Sequence, residues 1–354
     1  MPVSTPDLIL TYHVEGEAHT PSREVYDELE RQVRLADGLG FHAAWFAEHH
    51  FHVHRGHSPN PLLLALHLAG RTRRIRLGSA VLCVALHHPL RLAEDLLMAD
   101  VLTGGRLSIG IGSGSTPPEF AAFGVTASEQ TPEARHARFA EYLDVLEQAW
   151  SGGPIDVAGR YVHVRAPAVL PRAIRPLGDL LWVAANSPPQ AIVAGQRGYG
   201  LMLSRERTED EMAELIRAYQ AGRSESGARG PVRIAASRAL FVGATDEDAE
   251  RACAEAVAIL VRRQRETRPQ FAALPPPAGF AESCRRVQFL AGGPETVAAE
   301  IRRLRQVAPF TALHIQPRWQ GLSPADVEAS IARFAQQVLP LLASDPFPLP
   351  LADV

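Results

Sequence analysis

Eight short apolar runs, separated by longer amphipathic segments, constrain the fold of this 354-residue chain more than any other feature. Each run is apolar on both faces, which is typical of parallel strands that are covered by helices. Eight strand–helix repeats in a chain of this length predict an α/β fold, the (β/α)8 or TIM barrel. The predicted strands are Leu8–Tyr12, Ala43–Ala47, Leu77–Cys83, Leu107–Ile111, Leu180–Ala184, Gly200–Leu203, Ile234–Val242 and Ala312–Gln316.

An open, doubly wound sheet is the alternative α/β architecture, and it carries a glycine-rich GxGxxG turn after a strand. The nearest match, residues 110–114 (GIGSG), lacks the third glycine of that motif. It also leads to Pro117 and Pro118 instead of opening directly onto a helix. The pattern therefore favours the barrel.

Residues 152–178, which are rich in glycine and proline, interrupt the strand–helix alternation before the fifth predicted strand. Two β-prone stretches, Ile155–Val157 and Tyr161–Val164, flank Gly159 and Arg160. Short β-prone stretches around a glycine-containing turn predict a β-hairpin that is inserted at this point.

Residues 244–290 form a long excursion after the seventh predicted strand. The segment begins with a helical pattern over 246–265 and continues through the proline-rich, aperiodic residues 267–290. Long loops in compact domains are usually functional or disordered. Because this one leaves the barrel at the carboxyl ends of the strands, where active sites lie, we expect it to act as a lid.

Composition excludes several classes of function. The net charge of -3 provides no basic surface for nucleic acid or anionic membranes, and no apolar run approaches the roughly 18 residues of a membrane span. The chain contains no lysine, which excludes Schiff-base chemistry and a P-loop lysine. Three widely spaced cysteines, Cys83, Cys253 and Cys284, predict reduced thiols in a cytoplasmic protein. We expect one domain over residues 1–345 and a tail over 346–354.

Five histidines lie within nine positions, residues 49–57, immediately after the second predicted strand. Glu48 and the first two of these histidines therefore fall at the rim of the predicted barrel. Because side chains alternate along an extended chain, His49 is expected to point away from three others, which are His50, His52 and His54.

Two kinds of chemistry fit such a cluster. A His-x-His pair at the end of a barrel strand is typical of zinc hydrolases, and His13 and His314 near other strand ends would be further ligands. Alternatively, a histidine at the rim exchanges a proton with a bound organic cofactor, while Glu48 fixes its tautomer or raises its pKa. The second interpretation is favoured and no metal is expected, because the chain has no lysine to bridge two metals and no aspartate closes the last strand. For His52, His54 and His57 a solvated loop is the simplest explanation.

Residues 40–51 (GFHAAWFAEHHF) begin a series of sequence blocks that resemble the bacterial luciferase-like flavin-dependent monooxygenases. The blocks fall in the order of the family and cover nearly the whole chain. The resemblance implies a (β/α)8 barrel with extra loops and a homodimer that pairs through the apolar helix predicted at Pro61–Ala69. The other blocks are residues 60–61 (NP), 70–72 (GRT), 75–81 (IRLGSAV), 88–95 (HPLRLAED), 104–107 (GGRL), 184–188 (AANSP), 196–198 (QRG) and 289–297 (FLAGGPETV).

The resemblance also implies roles for particular residues. It places His49 beside a flavin, where it assists catalysis, and it gives His50 a supporting role, with Glu48 as their neighbour. A second group of residues, Ser79, Ala80 and Val81, matches the segment that lines the flavin ring in the family. That segment contains a non-prolyl cis peptide in relatives, so we expect one near Ala80–Val81.

The phosphate of the flavin is expected at the start of the helix after the fifth strand. The resemblance assigns it to Ser187 together with Arg135 or Arg138, and a helix N-terminus and a guanidinium both favour a dianion. Luciferases carry an arginine in the loop after the fourth strand where this chain has a serine, so one ligand of that subgroup is missing. The remaining residues expected at the cofactor are Gly112, Ser113 and Asn186.

The function that the resemblance implies is a two-component monooxygenase. Reduced FMN from a separate flavin reductase would react with O2, and a flavin C4a-peroxide would transfer one oxygen atom to a small organic substrate. The alternative within the same fold is hydride transfer by a deazaflavin coenzyme. The alternative of another class is the metal-dependent hydrolase considered above.

Overall fold

A computed structural model, which describes residues 6–16, 20–52, 56–114 and 116–343, contains a closed barrel of eight parallel strands. The eight are β1–β4, β7–β9 and β11, and each strand pairs with its neighbours in parallel, with β8 and β9 closing the ring. This confirms the predicted fold. The strands are β1 (Asp7–Tyr12), β2 (Ala43–Phe46), β3 (Arg76–Cys83), β4 (Leu107–Gly112), β5 (Ile155–Ala158), β6 (His163–Ala166), β7 (Leu181–Ala185), β8 (Gly200–Leu203), β9 (Ile234–Val242), β10 (Phe289–Gly292) and β11 (Ala312–Gln316).

Helices cover the outside of the barrel, and several begin where the sequence places a capping residue or a proline. Asn60 caps the second helix, since its Oδ1 accepts hydrogen bonds from two backbone N–H groups of the first turn. The helices are α1 (Ser22–Leu39), α2 (Pro61–Ala69), α3 (Pro89–Leu102), α4 (Pro117–Ala122), α5 (Pro132–Ser151), α6 (Leu177–Leu180), α7 (Pro188–Gln196), α8 (Glu209–Ser226), α9 (Asp246–Thr267), α10 (Pro269–Ala272), α11 (Phe280–Arg286), α12 (Pro294–Val307), α13 (Pro324–Arg333) and α14 (Leu339–Ala343). A π-helical turn at Phe334–Val338 joins the last two. No helix in the described part of the chain is long and apolar enough to cross a membrane.

The predicted hairpin is present before β7. Strands β5 and β6 pair antiparallel, and the second of them lies two residues later than predicted. The turn is attached to the barrel because the carboxylate of Glu141, on α5, accepts hydrogen bonds from the backbone N–H groups of Arg160, Tyr161 and Val162.

The excursion after β9 is more ordered than its proline-rich sequence suggests. Residues 267–290 contain two short helices, α10 and α11, and lead into β10. Strand β10 pairs with the carboxyl half of β9, Ala239–Val242, while the amino half of β9 belongs to the barrel. The expectation of an aperiodic segment was therefore wrong in part, because β9 is long enough to carry a ninth strand outside the ring. The tail predicted at 346–354 lies outside the described residues.

The lower part of the barrel interior is filled by small and large apolar side chains in alternation. A bulky pair, Trp45 and Trp182, meets edge to face with ring centroids 5.4 Å apart, and alanines from neighbouring strands fill the remaining space. Glycine is required where β3 and β4 approach, because a Cβ at Gly78 would lie 1.5 Å from the carbonyl oxygen of Ser108. This packing closes the barrel below, so a ligand can enter only from the carboxyl ends of the strands.

Candidate active site

A cavity of about 270 Å³ opens at the carboxyl ends of the barrel strands. All eight barrel strands, or the residues that directly follow them, contribute to its lining, as expected for the functional face of this fold. One lining residue from each strand, in chain order, is His13, His49, Val81, Gly114, Asn186, Met202, Ser237 and His314.

Glu48 is the centre of a buried hydrogen-bond network at one side of the cavity. Its Oε1 accepts hydrogen bonds from Nε2 of His50 at 3.1 Å and from Nε2 of His87 at 2.9 Å. Its Oε2 accepts from the backbone N–H of Cys83 at 2.7 Å. These three bonds connect the end of β2 to the end of β3 and to the turn that follows it.

The network changes the acidity of its members. Burial by itself would raise the pKa of Glu48, but the hydrogen bonds from His50, His87 and the backbone of Cys83 outweigh it and lower the pKa. The bond to Glu48 is also the main reason that the pKa of His50 is raised, and the charge of Glu119 adds to it. Glu48 is therefore a carboxylate near neutral pH, and His50 binds a proton more readily than a free imidazole does.

His49 faces the cavity, whereas His50 lies behind it. Nε2 of His49 is 2.9 Å from Nδ1 of His13, so one imidazole donates a hydrogen bond to the other. Nδ1 of His49 is 4.0 Å from Oε1 of Glu119, and the same oxygen accepts a hydrogen bond from the backbone N–H of His50 at 3.0 Å. His49 therefore lies between a second imidazole and a carboxylate. The role of Glu119, which lies on the short helix α4 after β4, was not predicted from the sequence.

The expected alternation of the histidines along an extended chain is wrong. The second strand ends before this segment, and Phe51 has a left-handed backbone with φ 58°, so the chain turns there. As a result the ring of His52 lies 6.5 Å from that of His49, although the two were expected on opposite sides. His50 keeps the separate position described above, and His54 lies outside the described residues.

The segment expected to line the flavin ring is divided in the structure. Ala80 and Val81 line the cavity, and the peptide bond between them is cis, which confirms that prediction. Ser79 is fully buried and faces β4 instead. Its hydroxyl donates to the carbonyl of Gly110 at 2.8 Å and accepts from the N–H of the same residue at 3.1 Å. Ser79 therefore positions the strand and does not face the cavity.

Polar groups converge where the loop after β4 meets the start of α7. Ser187 is the N-cap residue of α7, yet its hydroxyl makes no capping bond and lies 3.3 Å from Oε1 of Gln190 and 3.5 Å from Nε2 of His136. Nε2 of Gln190 donates to the hydroxyl of Ser113 at 3.1 Å. Arg135 donates to the carbonyl of Gly114 in the same loop at 2.7 Å. The sequence did not indicate His136 or the side chain of Gln190 at this place. Burial, followed by the charge of Arg135, lowers the pKa of His136.

The other residues expected at the cofactor have different surroundings. Arg138 points away from this cluster, because its guanidinium donates to the carbonyl of Ala85 at 3.2 Å and pairs with Glu129 at 3.5 Å. Asn186 lines the cavity. Gly112 lies in β4, where a Cβ would be only 2.9 Å from Val81. Of the two arginines, only Arg135 contacts the loop after β4.

The excursion contributes no residue to the cavity lining in the described part of the chain. It reaches the mouth through the loop after β8, because Arg205 donates to the carbonyl of Val287 at 3.0 Å and Arg268 pairs with Glu206. Arg205 and Glu206 do line the cavity. The segment expected to act as a lid therefore holds a rim loop from the outside.

Metal-binding geometry is not found among those histidines of the cluster that the structure describes. Among residues 6–16, 20–52, 56–114 and 116–343, no three histidine, cysteine, aspartate or glutamate side chains are grouped so that they could hold a metal ion. His314, proposed as a further ligand, is buried in the cavity wall, and burial lowers its pKa to about 3. The three cysteines are free and buried.

Comparison with known proteins identifies the family to which this site belongs. The family model described as luciferase-like monooxygenase matches residues 7–309. The chain belongs to the luciferase-like monooxygenase family. It is thus an enzyme of the flavin-dependent oxidoreductase class, and the resemblance inferred from the sequence is confirmed.

Individual relatives show the range of the family. The chain spans about half the length of the first curated relatives that it matches. It is 27% identical over 197 residues to the oxygenase component of the flavin-dependent trigonelline monooxygenase of Acinetobacter baylyi, covering 56% of this chain and 53% of that protein. F420-dependent enzymes also occur among the relatives of this luciferase-like chain.

Solved structures share the whole barrel. The monooxygenase RslO1 of Streptomyces bottropensis has a TM-score of 0.84 at 25% identity and covers 95% of this chain and 100% of its own. The oxygenating constituent of 3,6-diketocamphane monooxygenase from Pseudomonas putida, solved with FMN, has a TM-score of 0.81 at 22% identity and covers 97% and 100%. The second likeness shows the fold alone.

Proposed function

We propose that this chain is the oxygenase component of a two-component monooxygenase, which receives reduced FMN from a separate flavin reductase. With O2, it inserts one oxygen atom into a small organic substrate. The observation that carries this proposal is the pairing of a cavity at the barrel mouth with the polar cluster around Ser187. The cavity is suited to a flavin ring, and the cluster is suited to the phosphate of FMN.

The residues of the polar cluster fit a phosphate group. Nε of Arg135 is buried and has no hydrogen-bond partner among the described residues. The hydroxyl of Ser187 is not used to cap its helix, and its contacts with Gln190 at 3.3 Å and His136 at 3.5 Å are long, so a ligand at the helix N-terminus would replace them. Arg135, Ser187 and the hydroxyl of Ser113 would hold the phosphate, although Pro188 and Pro189 supply no N–H donors.

The residues at the ring side fit a redox cofactor that must exchange protons. Reduced FMN, when bound, supplies the two electrons that activate O2. His49 would hold or deliver a proton in the cavity, because its ring nitrogens face His13 on one side and Glu119 on the other. Glu48 would position this segment without contacting the reaction, since its carboxylate is occupied by three hydrogen bonds. The closed lower barrel would exclude water from below.

Hydride transfer with a deazaflavin coenzyme is the second candidate, because F420-dependent enzymes are among the relatives. The cavity alone does not distinguish the two ring systems, which share a tricyclic frame. FMN and the deazaflavin coenzyme differ in the length of the side chain that is attached to the ring. The number and position of the contacts to phosphate therefore distinguish them.

Anaerobic titration tests both candidates. We expect reduced FMN to bind more tightly than reduced riboflavin, which lacks the phosphate, and more tightly than reduced F420. Replacing Arg135 by methionine should remove the preference for FMN over riboflavin, with a loss of about tenfold in FMN affinity. Arg138→Met is the matched control and should keep the preference. Tighter binding of F420 than of FMN would support the second candidate and refute the first.

We also propose a homodimer that pairs through α2 and α3. These neighbouring helices expose four large apolar side chains, and adjacent exposed apolar side chains are the kind of surface that a protein partner covers. They are Leu63, Met98, Val101 and Leu102.

A further inference from the structure

The wall formed by β1, β9 and β11 contains buried polar side chains that face the cavity. In the described part of the chain, three of them have atoms without a hydrogen-bond partner. These are Oγ1 of Thr11, both ring nitrogens of His314, and Oε1 of Gln316. All three residues are buried and line the cavity together with Ser237. We call Thr11, Ser237, His314 and Gln316 the polar wall.

Strand register brings the polar wall together. His314 is the direct partner of Ser237 in the pairing of β11 with β9, and Ile9 is its partner on β1. Thr11 lies two residues further along β1, on the same face as Ile9, and is therefore level with Gln316. Nε2 of Gln316 donates to the hydroxyl of Ser237 at 3.3 Å, and this side-chain hydrogen bond links two members of the wall.

The polar wall carries no charge. His314 makes no ion pair in the described residues, and burial keeps its imidazole neutral because its pKa falls to about 3. The side chains that carry charge in the cavity follow the ends of their strands and lie toward the mouth. They are Glu48, Glu119, Arg205 and Glu206, with His13 and His49 beside them.

Buried polar atoms without partners destabilise a protein unless a ligand or water satisfies them. A site that satisfies them with a ligand discriminates strongly against analogues that lack the matching group. A charged ligand group would find no counter-ion on this wall, so its desolvation would not be compensated.

We propose that the polar wall binds an uncharged oxygen-bearing group of the substrate, a carbonyl or a hydroxyl, and selects neutral over ionised substrates. The inference rests on the proposed function only in treating the bound molecule as the substrate. Thr11 and His314 each provide a donor and an acceptor, and Oε1 of Gln316 provides an acceptor. The substrate class is therefore a small neutral ketone, aldehyde or alcohol.

Direct binding of matched probes tests the proposal without catalysis. Four compounds of one ring size would be titrated into the full chain by ligand-observed NMR, with and without FMN. They are cyclohexanone, cyclohexanol, methylcyclohexane and cyclohexanecarboxylate. We expect the ketone or the alcohol to bind at least about tenfold more tightly than the hydrocarbon and the carboxylate.

Variants connect this preference to the wall. Thr11→Val removes the hydroxyl at nearly constant shape and should reduce the preference for the oxygenated probes about fivefold, whereas Thr11→Ser should retain it. His314→Leu should have an effect in the same direction. Circular dichroism and thermal melting on each variant separate these effects from loss of folding.

Several results would overturn the inference. They are tighter binding of the carboxylate, equal binding of ketone and hydrocarbon, no binding of either oxygenated probe at its solubility limit, or an unchanged preference in folded Thr11→Val. FMN affinity is measured on the same samples. Failure of the chain to bind FMN would refute the proposed function, while failure of the probe preference with intact FMN binding would refute only the polar wall.

Discussion

Replacement of Glu48 by glutamine is the most direct test of the buried network beside the cavity. The carboxylate accepts three hydrogen bonds, from His50, His87 and the backbone of Cys83. Glutamine keeps one carbonyl oxygen, which can still accept from the Cys83 N–H, so two bonds from imidazoles to a charged acceptor are lost. Each such bond contributes about 1.5–3 kcal/mol. Because both imidazoles bond to the same oxygen, Oε1, their contributions are not independent, and we expect the free energy of unfolding to fall by about 3 kcal/mol.

The size of this loss should depend on pH. The folded pKa of Glu48 is lowered, so its contribution is present above the unfolded value of 4.5 and is lost as the pH falls through the folded pKa. The folded pKa of His50 is raised, so its contribution is fully present below the unfolded value of 6.5 and is lost as the pH rises through the folded pKa. The difference between the wild type and Glu48→Gln should therefore be largest at about pH 6 and smaller at about pH 9.

Urea unfolding of the cofactor-free protein, followed by tryptophan fluorescence at both pH values, measures the difference. The comparison is valid where the m-value is unchanged. Asp95→Asn is the matched control, because Asp95 forms a surface ion pair with Arg91 at 2.7 Å, and its loss should cost about 0.5 kcal/mol or less. If Glu48→Gln is no more destabilising than the control, or is equally destabilising at both pH values, the ionised network does not exist as described.

Three further predictions concern other parts of the molecule. Gly195→Ala should destabilise the fold by about 2 kcal/mol, because a Cβ there would lie 2.1 Å from the carbonyl oxygen of Tyr219 on α8. It should also weaken FMN binding, since Gly195 lies in α7, the helix that begins at the polar cluster. The control for urea unfolding is Gly178→Ala, where nothing lies within 4 Å of the added Cβ. His314 should stay neutral in NMR titrations down to about pH 4. Between the unfolded pKa of 6.5 and the folded pKa of about 3, only the unfolded state protonates this imidazole, so the wild type loses stability as the pH falls. His314→Asn should reduce that loss. Leu63→Arg should convert a dimer into a monomer in sedimentation experiments, and an unchanged sedimentation coefficient would refute the interface on α2 and α3.

The barrel strands could be predicted because their signal is local. Each is a short apolar run between turn residues, and eight repeats of that pattern leave few alternatives. Strand β10 (Phe289–Gly292) was missed because its signal is not local. It has only four residues, and they are ordered by pairing with the end of β9, which is distant in the sequence. The positions of His49 and His50 after β2 were also predictable, and so were their opposite directions. The direction of His52 was not, because the left-handed residue Phe51 precedes it and turns the chain.

The partners within the site could not be predicted, because they come from distant parts of the chain. His87 contacts Glu48 across 39 residues, and Glu119 contacts the His50 backbone across 69. A sequence places each of these residues near the end of some strand, but it does not fix which two loop residues meet over the barrel. The polar wall illustrates the same limit more strongly. Thr11 on β1, and His314 and Gln316 on β11, stand between apolar residues of their strands, where a buried and satisfied side chain is the simplest expectation. Only their shared register and the absence of partners among the described residues indicate that this wall is built for a ligand.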